Sequence, residues 1–325
     1  MAGACRPGAV AAPGMNTRAV QPAAGITMIV CAATCFALMD TMISSIGAFI
    51  AMAVVLWLRY AMHAVVMAVW IGGDRSKTYR TANPRFQMLR GLLLVSASAM
   101  AFTALRHMPV AEFTAIVMLT PLLATLLAWL LLHERVSVPR WALVFLGFTG
   151  ALVMMRPGSG LFGWAALLPL AAAVCNASFQ ILTSRFAARE DPFTTNFYTG
   201  VVGVALATGL LFASGADVTD SLAVMRPQHM LMLVVVGALG TAGHLVLIMA
   251  FGKAPASTLM PFQYVQIGVA ALAGALFLDK LPDRWSWLGM VLIAGAGAAS
   301  AWLTMREAAA RQLPVSAVSA DTVAD

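Results

Sequence analysis

The sequence predicts an all-α integral membrane protein of ten transmembrane helices, arranged as two inverted five-helix repeats. The composition is 61% hydrophobic and only 10% charged, with a mean hydropathy of +0.87, which is too apolar for a water-exposed globule. Ten apolar runs approach the ~20 residues that cross ~30 Å of hydrocarbon. The last stretches of the two halves also resemble each other, with Glu134-Arg135 matching Asp279-Lys280 at an offset of 145 residues (279 − 134).

The ten predicted spans divide evenly between two repeat units. In chain order they cover residues 25–45, 50–72, 88–105, 110–132, 141–155, 161–186, 193–213, 230–251, 256–278 and 285–304. The first unit is predicted over residues 24–156 and the second over 160–304, with tails at 1–23 and 305–325. Because each unit has an odd number of spans, the second unit enters the membrane inverted relative to the first.

The distribution of Lys and Arg predicts the orientation. With a cytoplasmic N-terminus, fourteen basic residues, Arg90 among them, fall on the inner side and five on the outer side, while Arg59 lies within a span. The positive-inside rule therefore places both termini in the cytoplasm of a bacterial-type inner membrane. The net charge of +7 is spread over several short loops, so it argues against nucleic acid as a partner.

Three segments carry a resemblance to a known family. They are AEFTAIVMLTPLLATLLAWLLLHERVSVPRW at 111–141, GFTGALVMMRPG at 147–158 and APASTLMPFQYVQ at 254–266. Together they resemble the EamA family of the drug/metabolite transporter superfamily, as two tandem units over about residues 25–304. The resemblance implies ten helices around a central cavity. It leaves the substrate open among amino acids, nucleoside-like metabolites, S-adenosylmethionine, vitamins and metallophores.

Charged side chains within the spans are the first candidates for a substrate or ion pathway, because burying them in a membrane is costly. Asp40 in the first span and Arg59 in the second lie at similar depths on either side of the turn around Gly47, so they are predicted to pair. The pair either latches a gate or binds a zwitterionic substrate. The alternative is a permanent ion pair that fixes the packing of the first two helices.

Two histidines within spans could couple transport to protons. His63 lies one turn after Arg59, and His244 lies within a glycine-rich segment at 237–244. The alternative is that each imidazole only bonds a neighbouring helix. Glu112, at the start of the fourth span, is a candidate for the mouth of the pathway.

Uncharged polar residues cluster in the sixth and ninth spans. Amides and hydroxyls can recognise a polar ligand at modest cost of burial, and Tyr264 could stack on a planar group, but such residues also join helices. The cluster comprises Asn176, Ser178, Gln180, Ser257, Thr258, Gln263, Tyr264 and Gln266.

Prolines predict bends in two spans. Pro121 in the fourth span and Pro261 in the ninth each remove a backbone donor, so both are hinge candidates. The pairs Glu134-Arg135 and Asp279-Lys280 are expected to be solvated helix-end charges or to anchor the turns that follow them.

Several function classes are disfavoured by missing motifs. The sequence has no GxxxxGK[ST] loop for ATP, and no HExxH or GxSxG motif, so an enzyme is not expected. No CxxC spacing occurs among the four cysteines, and no metal or cofactor is expected.

The predicted function is secondary transport of a small polar metabolite, an amino acid or a related compound, by alternating access, with efflux favoured. An importer of a vitamin, a nucleoside-like compound or S-adenosylmethionine is the nearest alternative. A non-transporting membrane scaffold or sensor and a passive channel are the alternatives of other classes. The expected partners are the lipid bilayer and a small-molecule substrate, while a proton, a counter-substrate and a homo-oligomer are left open.

Overall fold

The computed structural model describes residues 22–47, 49–132, 137–156, 163–187, 189–223, 225–254 and 259–312. Over these residues the chain is helical without strands. Two 3₁₀ turns cover Gly163–Ala166 and Met260–Tyr264. The α-helices are α1 (Pro22–Ile46), α2 (Met52–Gly73), α3 (Pro84–Ala104), α4 (Val110–Val117), α5 (Thr120–Leu132), α6 (Val138–Met155), α7 (Leu167–Phe186), α8 (Pro192–Ser214), α9 (Val218–Ala223), α10 (Pro227–Phe251), α11 (Val265–Leu278) and α12 (Arg284–Gln312).

Six helical segments within the described ranges are long and apolar enough to cross a membrane. They are Ala23–Ile46, Met52–Gly73, Pro84–Ala104, Gly163–Phe186, Pro192–Ser214 and Pro227–Phe251. Three shorter apolar stretches fall on the fourth, fifth and ninth predicted spans, and α12 covers the tenth. The chain is therefore a multi-pass membrane protein, and the residues that the structure describes are helical without strands.

The fourth predicted span is not one continuous helix. It divides into α4 and α5 just before Pro121, which has no N–H to give to the Val117 carbonyl one turn earlier. That carbonyl accepts the Thr120 hydroxyl at 2.6 Å instead. Pro261 likewise lies in a 3₁₀ turn ahead of α11. The prolines thus coincide with helix breaks, and their role as hinges stays a prediction.

The helices pack into two bundles, each with members from both halves of the chain. In the first bundle, α1 packs on α10 and α11, and α10 packs on α2. In the second bundle, α3 packs on α7 and α8, and α7 packs on α4 and α5. The two bundles meet where α2 packs on α8 and where α4 packs on α11. Helices α6 and α12, which belong to neither bundle, pack on each other.

Each helix of the first half has an equivalent helix in the second half, but the difference between equivalent residue numbers changes along the chain. The first helix of each half ends at Ile46 and Phe186, an offset of 140 (186 − 46). Helices α6 and α12 begin at Val138 and Arg284, an offset of 146 (284 − 138). The segment that holds α9 supplies the difference. The offset of 145 read from the sequence concerned only the last stretches of the two halves, and it differs by one residue from the 146 at α6 and α12. Asp40 corresponds to Gln180, and Ser98 to His244.

Candidate functional site

A cavity of about 90 Å³ lies between the two bundles. Helices α1, α2, α10 and α11 line one side, and α3, α4, α5 and α7 line the other. Four phenylalanines contribute aromatic surface, namely Phe36, Phe102, Phe113 and Phe179. The polar lining residues are Asp40, Arg59, Ser98, Thr120, Asn176, Gln180, His244, Gln263 and Gln266.

Arg59 is held against the second bundle. Its Nη1 atom donates a hydrogen bond to Ser98 Oγ at 3.1 Å, and the Tyr60 hydroxyl lies 3.0 Å from the same Ser98 oxygen. The guanidinium carbon also lies 4.8 Å from the ring centroid of Tyr60 and 5.6 Å from that of Phe102. This side chain is only 2% exposed, and its contacts join α2 to α3 across the cavity.

Asp40 lines the same cavity and is 6% exposed. Within the described part of the chain, its carboxylate forms no hydrogen bond and no ion pair within 4.0 Å. The ion pair with Arg59 predicted from the sequence is therefore not formed here. The physical reason is that Ser98 and two aromatic rings hold the guanidinium on the α3 side.

A second polar contact joins the bundles on the side of the membrane where α1 begins. Gln263 Nε2 donates a hydrogen bond to Gln180 Oε1 at 3.2 Å. Gln266, Asn176 and Thr120 add further polar groups to the cavity wall. The amides that the sequence singled out in the sixth and ninth spans are therefore brought together by the fold, and their contact with a substrate stays a prediction.

The two histidines lie side by side, but only one lines the cavity. His244 Nδ1 lies 2.8 Å from the Gly240 carbonyl of its own helix, and its ring meets Phe36 edge-on at 4.7 Å between centroids. His63 is fully buried, 6.1 Å from His244 between ring centroids. Neither ring nitrogen of His63 has a hydrogen-bond partner among the described residues.

Two further predicted residues lie outside the cavity lining. Tyr264 is buried against α12, where a Cβ at Gly297 would overlap its ring; the predicted stacking on a substrate does not fit this position. Glu112 is buried at the start of α4 and not at an open mouth. Ser178 bonds the Val174 carbonyl of its own helix. Ser257, Thr258 and the Glu134-Arg135 pair lie outside the described residues.

The sequence interpretation counted Arg90 only among the inner-side charges, although the third predicted span, 88–105, contains it. In the structure Arg90 is completely buried in α3. Its Nη2 atom donates to the Thr195 carbonyl at 2.5 Å and to the Thr199 hydroxyl, and its guanidinium faces Phe179 at 5.1 Å. The signal was available: Pro84 at the first turn of a helix places Arg90 nearly two turns inside it.

The geometry defines a helical membrane protein with a mixed polar and aromatic cavity between two bundles. The chain matches the EamA-like transporter family over residues 23–156 and 163–301, and it belongs to that family.

Several curated relatives are named as transporters and none of these names describes an enzyme. A riboflavin transporter of Rhizobium johnstonii is 31% identical over 67% of this chain and 70% of its own length. An S-adenosylmethionine uptake transporter of Rickettsia conorii is 26% identical over 74% of this chain and 79% of its own. A pseudopaline exporter of Pseudomonas aeruginosa is 23% identical over 83% of this chain and 93% of its own.

A solved crystal structure shares the fold. It superimposes with a TM-score of 0.62 at 19% identity, covering 87% of this chain and 98% of that chain. This likeness concerns the fold alone.

Proposed function

We propose that this protein is a secondary transporter of a small polar metabolite that carries a planar nitrogen heterocycle. The observation that carries the proposal is the cavity between the bundles, which combines four phenylalanines with amides and two opposite charges. Aromatic surface suits a planar ring, and a few placed polar groups fix its orientation.

The names of the relatives support this substrate class. Riboflavin combines a planar isoalloxazine with a hydroxylated ribityl chain, and S-adenosylmethionine combines a planar adenine with a ribose ring and a methionine group. Both names occur among relatives that cover about two thirds or more of the present chain. The identities of 31% and 26% support the class of compound and leave the individual compound to experiment.

Alternating access is supported by the size of the cavity and by its two polar contacts. A volume of about 90 Å³ is well below the ~300–1,000 Å³ of typical small-molecule sites. The bundles must therefore separate to admit a substrate. The Arg59–Ser98 contact lies towards the side where α1 ends, and the Gln180–Gln263 contact lies towards the other side, so each side has a bond that opening breaks.

The proposed topology has ten spans as two inverted five-helix units, in the inner membrane, with both termini in the cytoplasm. The packing supports it because each contact in one bundle has a counterpart in the other: α1 with α10 corresponds to α7 with α3, and α1 with α11 corresponds to α7 with α4 and α5. Inverted-repeat transporters have this arrangement, in which equivalent helices of the two repeats make equivalent contacts in opposite bundles.

Substrate gradients or exchange for a counter-substrate would set the direction. The sequence alone favoured efflux, and one relative is named an exporter. Another relative is named for uptake, so net uptake is retained as the second candidate. Both directions use the same cavity.

Counterflow in proteoliposomes tests the proposal. Vesicles are loaded with unlabelled riboflavin or S-adenosylmethionine, and entry of the labelled compound is followed at low external concentration. We expect transient accumulation above equilibrium, which is absent from protein-free vesicles. Flux without counterflow acceleration indicates a passive channel. No flux of either compound contradicts the proposal for this substrate class and favours the scaffold or sensor.

A further inference from the structure

The carboxylate of Asp40 is an acidic group buried in the cavity wall without a protein partner among the described residues. It is 6% exposed and lines the cavity near the end of α1. Its neighbour Thr41 bonds the Ala37 carbonyl of the same helix. Asp40 therefore differs from the threonines of α1, Thr27, Thr34 and Thr41, whose hydroxyls bond carbonyls of their own helix.

The basic residues near the cavity form no hydrogen bond to Asp40. Arg59 donates to Ser98 and lies over two aromatic rings. Arg90 donates to α8 and is not part of the lining. His244 is bonded within its own helix. These contacts leave the carboxylate oxygens of Asp40 free to accept a bond from another molecule.

A buried carboxylate without a partner costs free energy of folding, so a fold that keeps one without a role in binding would gain by replacing it. The equivalent position in the second half, 140 residues later, holds the neutral amide of Gln180. Gln180 is bonded to Gln263. The same position in the repeat thus accommodates a neutral side chain that joins the bundles, and the acid at Asp40 is not required by the packing.

We propose that Asp40 is the residue that recognises the substrate, by accepting a hydrogen bond from an N–H group of the metabolite. The donor is an ammonium or the N–H of a heterocycle. Arg59 and Ser98 then form the contact that closes the cavity beside the bound molecule. The inference rests on the proposed function, since it assigns one group of the same site.

Specificity follows from this arrangement. A site built to accept a substrate N–H discriminates strongly against a molecule of similar shape that lacks it, because the buried acceptor then stays unpaired. The phenylalanines around the cavity select a planar shape, while Asp40 selects among planar molecules by the donor that they present.

Thermal unfolding of the ligand-free protein separates recognition from a structural role. The variants are Asp40→Asn, Asp40→Leu and the control Thr41→Val. If the Asp40 carboxylate is unpaired until a substrate binds, both Asp40 variants have a Tm equal to or above that of the wild type. A fall in Tm for both, larger than that of Thr41→Val, makes Asp40 a structural partner and overturns the proposal.

Competition during counterflow tests the donor itself. Riboflavin has an imide N–H that is replaced by N–CH₃ in 3-methylriboflavin. In the wild type we expect the methylated compound to compete at least about tenfold more weakly. In Asp40→Leu the two compounds should compete equally, with riboflavin weakened by at least about tenfold. For S-adenosylmethionine the corresponding analogue is acetylated on its amino group.

The two proposals fail in different ways. Normal affinity and unchanged discrimination in Asp40→Leu overturn the assignment of Asp40 and leave the transport function intact. If neither compound moves in the wild type, the proposed function fails for this substrate class, and the Tm comparison alone decides whether Asp40 is a structural partner.

Discussion

Gln263 Nε2 donates a hydrogen bond to Gln180 Oε1 at 3.2 Å, and this bond joins the two bundles on the side where α1 begins. Arg59 and Ser98 form the corresponding contact towards the other side. Both contacts exist together, around a cavity of about 90 Å³. The structure therefore has the two bundles joined at both ends of the cavity.

The contribution of the glutamine pair can be measured with a double-mutant cycle. Gln180→Ala and Gln263→Ala are each expected to lower the thermal stability, and the double variant to be less affected than their sum. The expected coupling is about 1 kcal/mol, as for a neutral hydrogen bond. Gln180→Ala with Gln266→Ala is the matched control, since Gln266 lines the cavity but is not bonded to Gln180. Additive effects for Gln180 with Gln263 contradict the prediction.

Replacing Gly203 is expected to shift Tyr60 and thereby disturb the Ser98 contact at the cavity. A Cβ at this position of α8 would overlap the Tyr60 ring, and the Tyr60 hydroxyl lies 3.0 Å from Ser98 Oγ. Gly203→Ala should therefore destabilise the protein by about 1–3 kcal/mol through overpacking and lower the rate of counterflow.

Gly209 on the same helix provides the control for Gly203. It has no atom within 4 Å of an added Cβ. Gly209→Ala is expected to leave thermal stability and counterflow unchanged or slightly improved, since alanine favours helix more than glycine does. Equal losses in both variants would indicate a general helix effect and not the Tyr60 contact.

Substitutions at Asp191 and Lys77 compare how much a helix cap and a surface ion pair contribute to the stability of the protein. Asp191 Oδ1 accepts the backbone N–H groups of Phe193 and Thr194 at 2.9 and 3.1 Å, and thus caps α8. The ion pair with Lys77 spans 3.9 Å near the surface. Asp191→Ala should cost about 1 kcal/mol in stability, whereas Lys77→Ala should cost less. Thermal unfolding of the two variants checks the order, and the reverse order contradicts it.

Stability at low pH should depend on Asp283, which precedes α12. The pKa of this carboxyl lies below its ordinary value, chiefly because the backbone N–H of Ser286 donates to it. The Ser286 side chain and Arg156 lower this pKa further. Ser286 N lies 2.8 Å and Arg156 Nη2 lies 2.5 Å from the carboxylate oxygens.

A lowered folded-state pKa gives stability that is present above the unfolded-state pKa of about 3.9 and is lost as pH falls through the folded-state value. We expect Asp283→Asn to lower the Tm at neutral pH and to flatten its decline below about pH 4. Because the side chain is 47% exposed, the effect is small. Asp220→Asn on α9 is the control, and an identical acid profile in Asp283→Asn and the wild type contradicts the prediction.

Much of the fold followed from hydrophobic length alone. The first, second and third predicted spans coincide with α1, α2 and α3 to within a few residues at each end. The break before Pro121 was foreseen as a bend, because proline removes a backbone donor in any environment. What was missed is that this break divides the span into two helices, with Thr120 satisfying the free carbonyl between them.

The site was predicted as a set of residue types, but not as a set of contacts. Seven of the nine candidates named for substrate or coupling line the cavity, whereas His63 and Tyr264 do not. The ion pair of Asp40 with Arg59 was expected from their depth, yet depth leaves open the direction in which each side chain points. The position of Ser98 across the cavity decided that Arg59 bonds α3.

The sequence by itself determined that this chain is a membrane protein of duplicated helical units, since the lengths and polarity of its segments are set by the bilayer. It also determined which polar residues lie within the spans. Only the tertiary structure decided which of them meet, because helices from opposite halves pack together and bring residues far apart in sequence, such as Arg90 and Thr195, into contact. The burial of Arg90 and the unpaired carboxylate of Asp40 arise from that packing, which no local pattern specifies.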